Sequence, residues 1–119
     1  MTVVNLINVA TITPVMAAGA VTTSRASIVD VAADKVAKIN SLIIANIDGT
    51  NAADITVEVS VDNGSNYVAI AKTVSVAADS SLIVVGKDNG FYLDETDLLA
   101  VTASAASDLT YLVSYELMT

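Results

Sequence analysis

Apolar and polar residues alternate with a period of two through much of the chain. In ITVEVSVD, Ile55, Val57, Val59 and Val61 fall on one side and Thr56, Glu58, Ser60 and Asp62 on the other, as on a half-buried strand. In LTYLVSYELM, Leu109, Tyr111, Val113, Tyr115 and Leu117 oppose Thr110, Ser114 and Glu116, which predicts a C-terminal strand. YVAIAKTVSV places Val68, Ile70, Val74 and Val76 together, LLAVTASA aligns Leu99, Val101, Ala103 and Ala105, and SLIVV reads as a short buried run. KINSLIIANI is apolar on both sides, with Ile39, Ile43 and Ile47 on one and Leu42 and Ile44 on the other. This pattern predicts a strand covered on both faces.

Turn residues separate these runs. Asn63-Gly64 and Asn89-Gly90 tolerate positive φ and predict tight hairpins. Pro14 places the N-terminal apolar segment at a sheet edge or outside the sheet. SRASIVDVAADKVAKI also has apolar residues three and four apart, but its VDVAAD (29–34) is repeated as VSVAAD (74–79) between clear strands, so both copies read as one corner used twice. Strands of this length and number predict an all-β fold, two antiparallel sheets in a β-sandwich, jelly-roll-like or Ig-like. Residues 1–119 read as one such domain, with 1–20 as an N-terminal arm or an edge strand.

Composition adds a surface to this picture. Apolar residues make up 54 % of the chain, and 19 positions are alanine. Mean hydropathy is +0.65. Either the sandwich is simply well filled, or it carries more apolar surface than one small core hides, and a homo-oligomeric contact is the natural outlet. Thirteen acidic against five basic residues give a net charge of −8, and Arg25, Lys35, Lys38, Lys72 and Lys87 form no basic cluster. Such a surface repels phosphate backbones, so nucleic acid is not an expected partner. No apolar run reaches the ~18 residues that span a bilayer, so a membrane is not expected either.

The chain has neither cysteine nor histidine. Disulfides, thiolate nucleophiles, imidazole bases and the usual soft metal ligands are thereby excluded, and no cofactor is implied. Asp48, Asn51 and Asp54 in NIDGTNAAD are the candidate ion ligands, but their spacing of three and the Val59 at the twelfth position depart from a helix-loop-helix calcium site. Asx-turn capping between two strands is the simpler reading of that loop. GKDNG lacks the glycine spacing of a phosphate loop, and Asp94, Glu95 and Asp97 in DETD read as solvated turn charges, not as an acid pair across a cleft. No enzymatic activity is expected. The first twenty residues lack the basic start of a signal peptide. VVNLINV instead reads as an arm able to add a strand to a neighbour's sheet, with Val3, Val4, Leu6, Ile7 and Val9 as candidate interface residues, or as an ordinary first strand.

Two stretches carry a resemblance. AKINSLIIANIDGTNAADITVEVSVDNGSNYVAIAKTVSVAADSSLIVV and FYLDETDLLAVTASAASDLTYLVSYE resemble small virion structural proteins of tailed bacteriophages, notably marine and cyanobacterial ones. The likeness covers about residues 29–116, with ANIDGTNAAD and VTASAASDL the most specific parts in combination. It implies a role in the virion, with the major capsid protein or other virion proteins as partners. Together with the acidic surface it points to a capsid decoration or cement protein on the outer shell. A neck or tail component, as a head-to-tail connection or fibre-base module, is the alternative within the virion. An extracellular glycan-binding module is the alternative of another class, and it would need exposed rings among Tyr67, Phe91, Tyr92, Tyr111 and Tyr115.

Overall fold

The computed structural model describes residues 6–119. Among them are nine strands: β1 (Ile12–Ala20), β2 (Ala26–Asp30), β3 (Val36–Asn46), β4 (Ala53–Ser60), β5 (Val68–Val76), β6 (Ser81–Val85), β7 (Phe91–Leu93), β8 (Leu98–Ala103) and β9 (Leu109–Met118). The helical segments among the described residues are two three-residue 3₁₀ turns, Leu6–Asn8 and Lys87–Asn89. One sheet has the order β1-β9-β3-β6, with β7 also paired to β3, and the other has the order β2-β8-β4-β5. Every pairing is antiparallel. The two sheets form an antiparallel β-sandwich, as the alternation predicts.

The core lies between the sheets. Ile39, Leu42 and Ile44 of β3 and Leu109 and Val113 of β9 are fully buried in one cluster with Ile55 and Val57 of β4 and Leu99 and Val101 of β8. Tyr111 and Tyr115 pack against this cluster from the flank. Gly19, opposite Tyr111 in the β1–β9 ladder, makes room for that ring, since a Cβ there would lie 3.3 Å from Tyr111 Cε1.

The repeated VAAD corner does the same work twice. β2 and β5 are the two outermost strands of the second sheet, and each corner carries the chain from one of them into the first sheet, to β3 and β6. Asp34 and Asp79 end the two corners with φ of 63° and 56°. Aspartate enters this left-handed region at less cost than most residues. The equivalent valines, Val31 and Val76, are both buried. A corner needing one left-handed residue and one buried valine explains why the same four residues recur.

Asn63 (φ 57°) and Gly64 (φ 88°) close the β4–β5 hairpin, as their identities predict. The buried Ser60 hydroxyl accepts the Gly64 N–H at 2.8 Å and donates to Asp62 Oδ1 at 2.8 Å. Asn89-Gly90 works differently from the expectation. Asn89 belongs to a 3₁₀ turn and Gly90 has φ −66°, so no left-handed residue is used. Gly90 is required for space, because a Cβ would sit 2.7 Å from the Ile39 carbonyl oxygen.

Side-chain parity departs from simple alternation at bulges. In β3 the ladder to β9 shifts between Ile39 and Ser41. This extra residue turns Ile39 to the same side as Leu42 and Ile44, in the core, and leaves Ile43 half-buried on the outside and Ile47 exposed. Among the described residues, the strand is therefore not covered on both faces. β5 shifts twice against β4, at Ile55/Val57 and Val57/Glu58, so Ile70 points away from Val74 and Val76. Thr73, inside the first of these irregularities, has φ 46° and donates its N–H to Thr56 Oγ1 at 3.1 Å. SLIVV is likewise only partly buried, with Ile83 open to solvent, and Val61 lies beyond the end of β4 and is exposed.

Candidate interaction surface

The outward sides of the two sheets differ in chemistry. On the first sheet, the ladders align Ala18 of β1 with Leu112 of β9, Leu112 with Ile43 of β3, and Ile43 with Ile83 of β6. One apolar row thus crosses four strands. Ala18 and Ile83 at its ends are exposed, Ile83 to 66 %, Ile43 and Leu112 between them are half-buried, and Met16, two residues before Ala18 on β1, is 68 % exposed. Ala20 and Ala45 flank the row on one side, paired with Thr110. Farther along the same face the character turns polar, with Lys38, Asn40 and Glu116, and Asn40 Nδ2 donates to Glu116 Oε1 at 3.1 Å.

The second sheet presents Asp54, Thr56, Glu58 and Thr102 outward, the positions between its buried core residues. Arg25 donates from Nε and Nη2 to the two Glu58 carboxylate oxygens at 3.0 and 3.2 Å, while its guanidinium stacks 3.9 Å from the Tyr67 ring centroid. Glu58 holds the Arg25 pKa above its ordinary value. This face is mostly polar, with Ile70 of β5 an exposed apolar exception, and among the described residues it has no comparable apolar row.

The predicted arm is only partly placed. Val3 and Val4 lie outside the described residues. Leu6 and Ile7 occupy the 3₁₀ turn Leu6–Asn8 and are 46 % and 92 % exposed, and Val9 is half-buried. The first strand among the described residues is β1, and Pro14 within it lies on the sheet edge.

NIDGTNAAD is built as a set of side-chain caps. Asn46, 3 % exposed, donates from Nδ2 to the carbonyls of Val76 at 2.9 Å and Asn51 at 3.0 Å, and its Oδ1 accepts the Asp48 N–H at 2.9 Å. Asp48 Oδ1 accepts the Thr50 and Asn51 N–H groups, and these bonds hold its carboxyl below the usual range. Burial, then the neighbouring Asp48 charge, pushes Asp108 up. Asp54 N–H is bound by Ser104 Oγ on the far side of the loop. Asn46 Oδ1 and Asp48 Oδ1 thus serve backbone donors, and among the described residues no group of three or more acidic side chains is arranged to hold a metal ion. The residue that ties the loop to the core is Asn46, which the spacing argument passed over.

DETD is not a solvated loop. Glu95 and Asp97 are 3 % and 8 % exposed. Glu95 Oε2 accepts the N–H of the left-handed Asp34 at 2.7 Å, Thr96 N–H donates to the Val31 carbonyl, and Val31 N–H donates to the Asp97 carbonyl. The turn therefore packs onto the first VAAD corner and supplies its missing acceptor. Burial raises the Asp97 pKa, and the Asp94 charge adds to the rise. The aromatic residues form no stacking platform. Tyr92 is exposed beside Lys38, Arg25 covers Tyr67, and Phe91, Tyr111 and Tyr115 pack against the core.

Comparison with known proteins bears on the fold. No family model matches the chain, and no curated protein does. A solved structure from work on Bacillus endospore appendages, a family of disulfide-linked pili, is 18 % identical, with 92 % of this chain and 87 % of that one covered and a TM-score of 0.50. Two structures of a pentameric capsid protein from metagenomic phage sequences are 16 % identical, cover 97 % of this chain and 67 % and 62 % of theirs, and have TM-scores of 0.40. The first likeness supports the two-sheet architecture; the present chain, lacking cysteine, has no counterpart to the disulfide links of those pili.

Proposed function

We propose that this chain is a structural protein of a tailed-phage virion and, within that class, a capsid decoration or cement protein on the outer shell. The observation that carries the reading is the apolar row Ala18–Leu112–Ile43–Ile83, uncovered among the described residues on one side of a sandwich whose other side is mostly polar. One sheet is suited to contact and the other to water. Two supports come from elsewhere in the chain. The strand orders β1-β9-β3-β6 and β2-β8-β4-β5 support a jelly-roll reading of the sandwich, an architecture used by viral capsid and lectin domains. The resemblance of residues 29–116 to phage virion proteins points the same way.

Mechanistically, shell stabilisation needs buried area and no reacting group. Covering the apolar row against the major capsid protein or another virion protein would contribute roughly 25 cal/mol for each Å² removed from water, and stable contacts commonly bury about 1,600 Å² in total. The net charge of −8 suits the outside of a DNA-filled particle, where packaged phosphates are kept at a distance.

The test uses a single cysteine at the exposed Ser65, unique because the chain has none of its own. Gold-labelled Ser65→Cys protein is added to particles of the phage that encodes it and located by electron microscopy. A regular distribution over the outer shell is the expected result. Label confined to a ring at the neck or tail, or no particle binding, would overturn the decoration role.

A further inference from the structure

We propose that the open edge of β1 is a strand-addition site for a second copy of this chain, joined antiparallel about a two-fold axis. The proposal goes beyond the shell-binding reading and does not depend on it.

The first observation is a contrast among sheet edges. β2 and β5, the edges of the second sheet, both carry register shifts, between Ser27 and Val29 in one and opposite Ile55–Glu58 in the other. On the far side of the first sheet the edge is divided between β6, five residues with its own shift, and β7, three residues. Bulges and short length are the usual ways in which proteins prevent edge-to-edge pairing. β1 has neither: its nine residues run in unbroken register from Ile12↔Met118 to Ala20↔Thr110. Among the described residues, no strand pairs with its other side.

The second observation is where the hydrogen-bonding groups point. Thr11 N–H donates to the Thr119 carbonyl and Val21 N–H to the Leu109 carbonyl, so odd-numbered residues bond toward β9. With a period of two, the N–H groups of Ile12, Met16, Ala18 and Ala20 face the open side. Pro14, which has no N–H to offer, falls on that same side and costs the β9 ladder nothing. From Met16 to Ala20 the edge offers a full set of donors and acceptors.

Charge selects the occupant. All eighteen charged residues lie at position 25 or beyond, so residues 1–24, β1 included, carry none, in a chain whose net charge is −8. Two like-charged copies meet most easily where neither is charged. A two-fold contact is also self-complementary, placing the same uncharged strand on both sides. Pairing about an axis perpendicular to the sheet would merge the two first sheets into one. It would also set both apolar rows on the same side, doubling the face assigned to contact.

The experiment is sedimentation velocity on the full chain across the micromolar range, with the wild type compared with Ala18→Pro and Ala18→Lys. Ala18→Pro removes an outward N–H without touching the β9 ladder, and Ala18→Lys keeps the N–H but places a charge at the joint. Each change occurs twice in a symmetric dimer. We expect a wild-type dimer whose dissociation constant rises at least about tenfold in both variants, with unchanged circular-dichroism spectra and with melting unchanged at dilutions where all three proteins are monomeric. A wild type that stays monomeric throughout, as it would if residues of the same chain cover β1, overturns the proposal. So does an assembly larger than a dimer, or a dimer that neither variant weakens. Should Ala18→Pro fail to fold, Ala18→Lys alone decides.

Discussion

Replacing Asn46 by alanine is expected to lower stability by about 2–4 kcal/mol, enough to bring the melting temperature down by roughly 10 °C or more. One buried side chain here satisfies three backbone groups from two segments: the carbonyl of Val76 at the end of β5, and the carbonyl of Asn51 and the N–H of Asp48 in the β3–β4 loop. Alanine leaves those groups without their partner where water has little access, and a buried polar group stripped of its hydrogen bond costs more than the bond's average net worth. Asn46→Asp sharpens the test because it keeps the shape and reverses the role of one atom. At neutral pH its carboxylate would face two carbonyl oxygens in place of a donating amide, so the loss should be at least as large. Lowering the pH gives one oxygen a proton to donate, and part of the stability should return. Urea unfolding of both variants at pH 7 and in mild acid measures this directly.

Placing a carboxylate in the apolar row should separate folding from assembly. Leu112 is half-buried on the outward side of β9, and a glutamate there can extend into water in the free protein. A change of under about 1 kcal/mol in stability is therefore expected. Once covered by a partner, the same carboxylate is desolvated without a counter-charge, and such burial costs several kcal/mol. Leu112→Glu protein should bind particles at least about a hundredfold more weakly than wild type in co-sedimentation. Thr102→Glu, on the outward side of β8 in the second sheet, is the matched control and should bind as wild type does.

The parts of the fold that alternation alone could reveal are those with unbroken ladders. β9 runs regularly enough beside β1 that Leu109, Tyr111 and Val113 fall where period two puts them, and the repeated VAAD corners betrayed their common geometry through identical residues. Ile39 and Ile70 were misplaced for one reason: a bulge changes parity, and its position is set by the partner strand. Nothing local in KINSLII announces that Asn40 is the extra residue. Glu95 was misread as a solvated charge because the donor that it serves, Asp34 N–H, lies 61 residues away. The contact row had the same difficulty, since Ile43, Leu112 and Ile83 were visible as apolar residues but became neighbours only through the register of three strands. Asn46 looked like one polar residue among several in a carboxylate-rich loop, and only its burial marks it as the loop's anchor.

The most direct measurement is a cryo-EM reconstruction of particles decorated with the protein, resolved well enough to orient the sandwich. The outward side of β1, β9, β3 and β6 should lie against the neighbouring virion protein, with Met16, Ile43, Ile83 and Leu112 excluded from solvent and the Arg25–Glu58 pair of the other sheet facing water. The reverse orientation, with the apolar row still open to solvent on the assembled particle, would contradict the account.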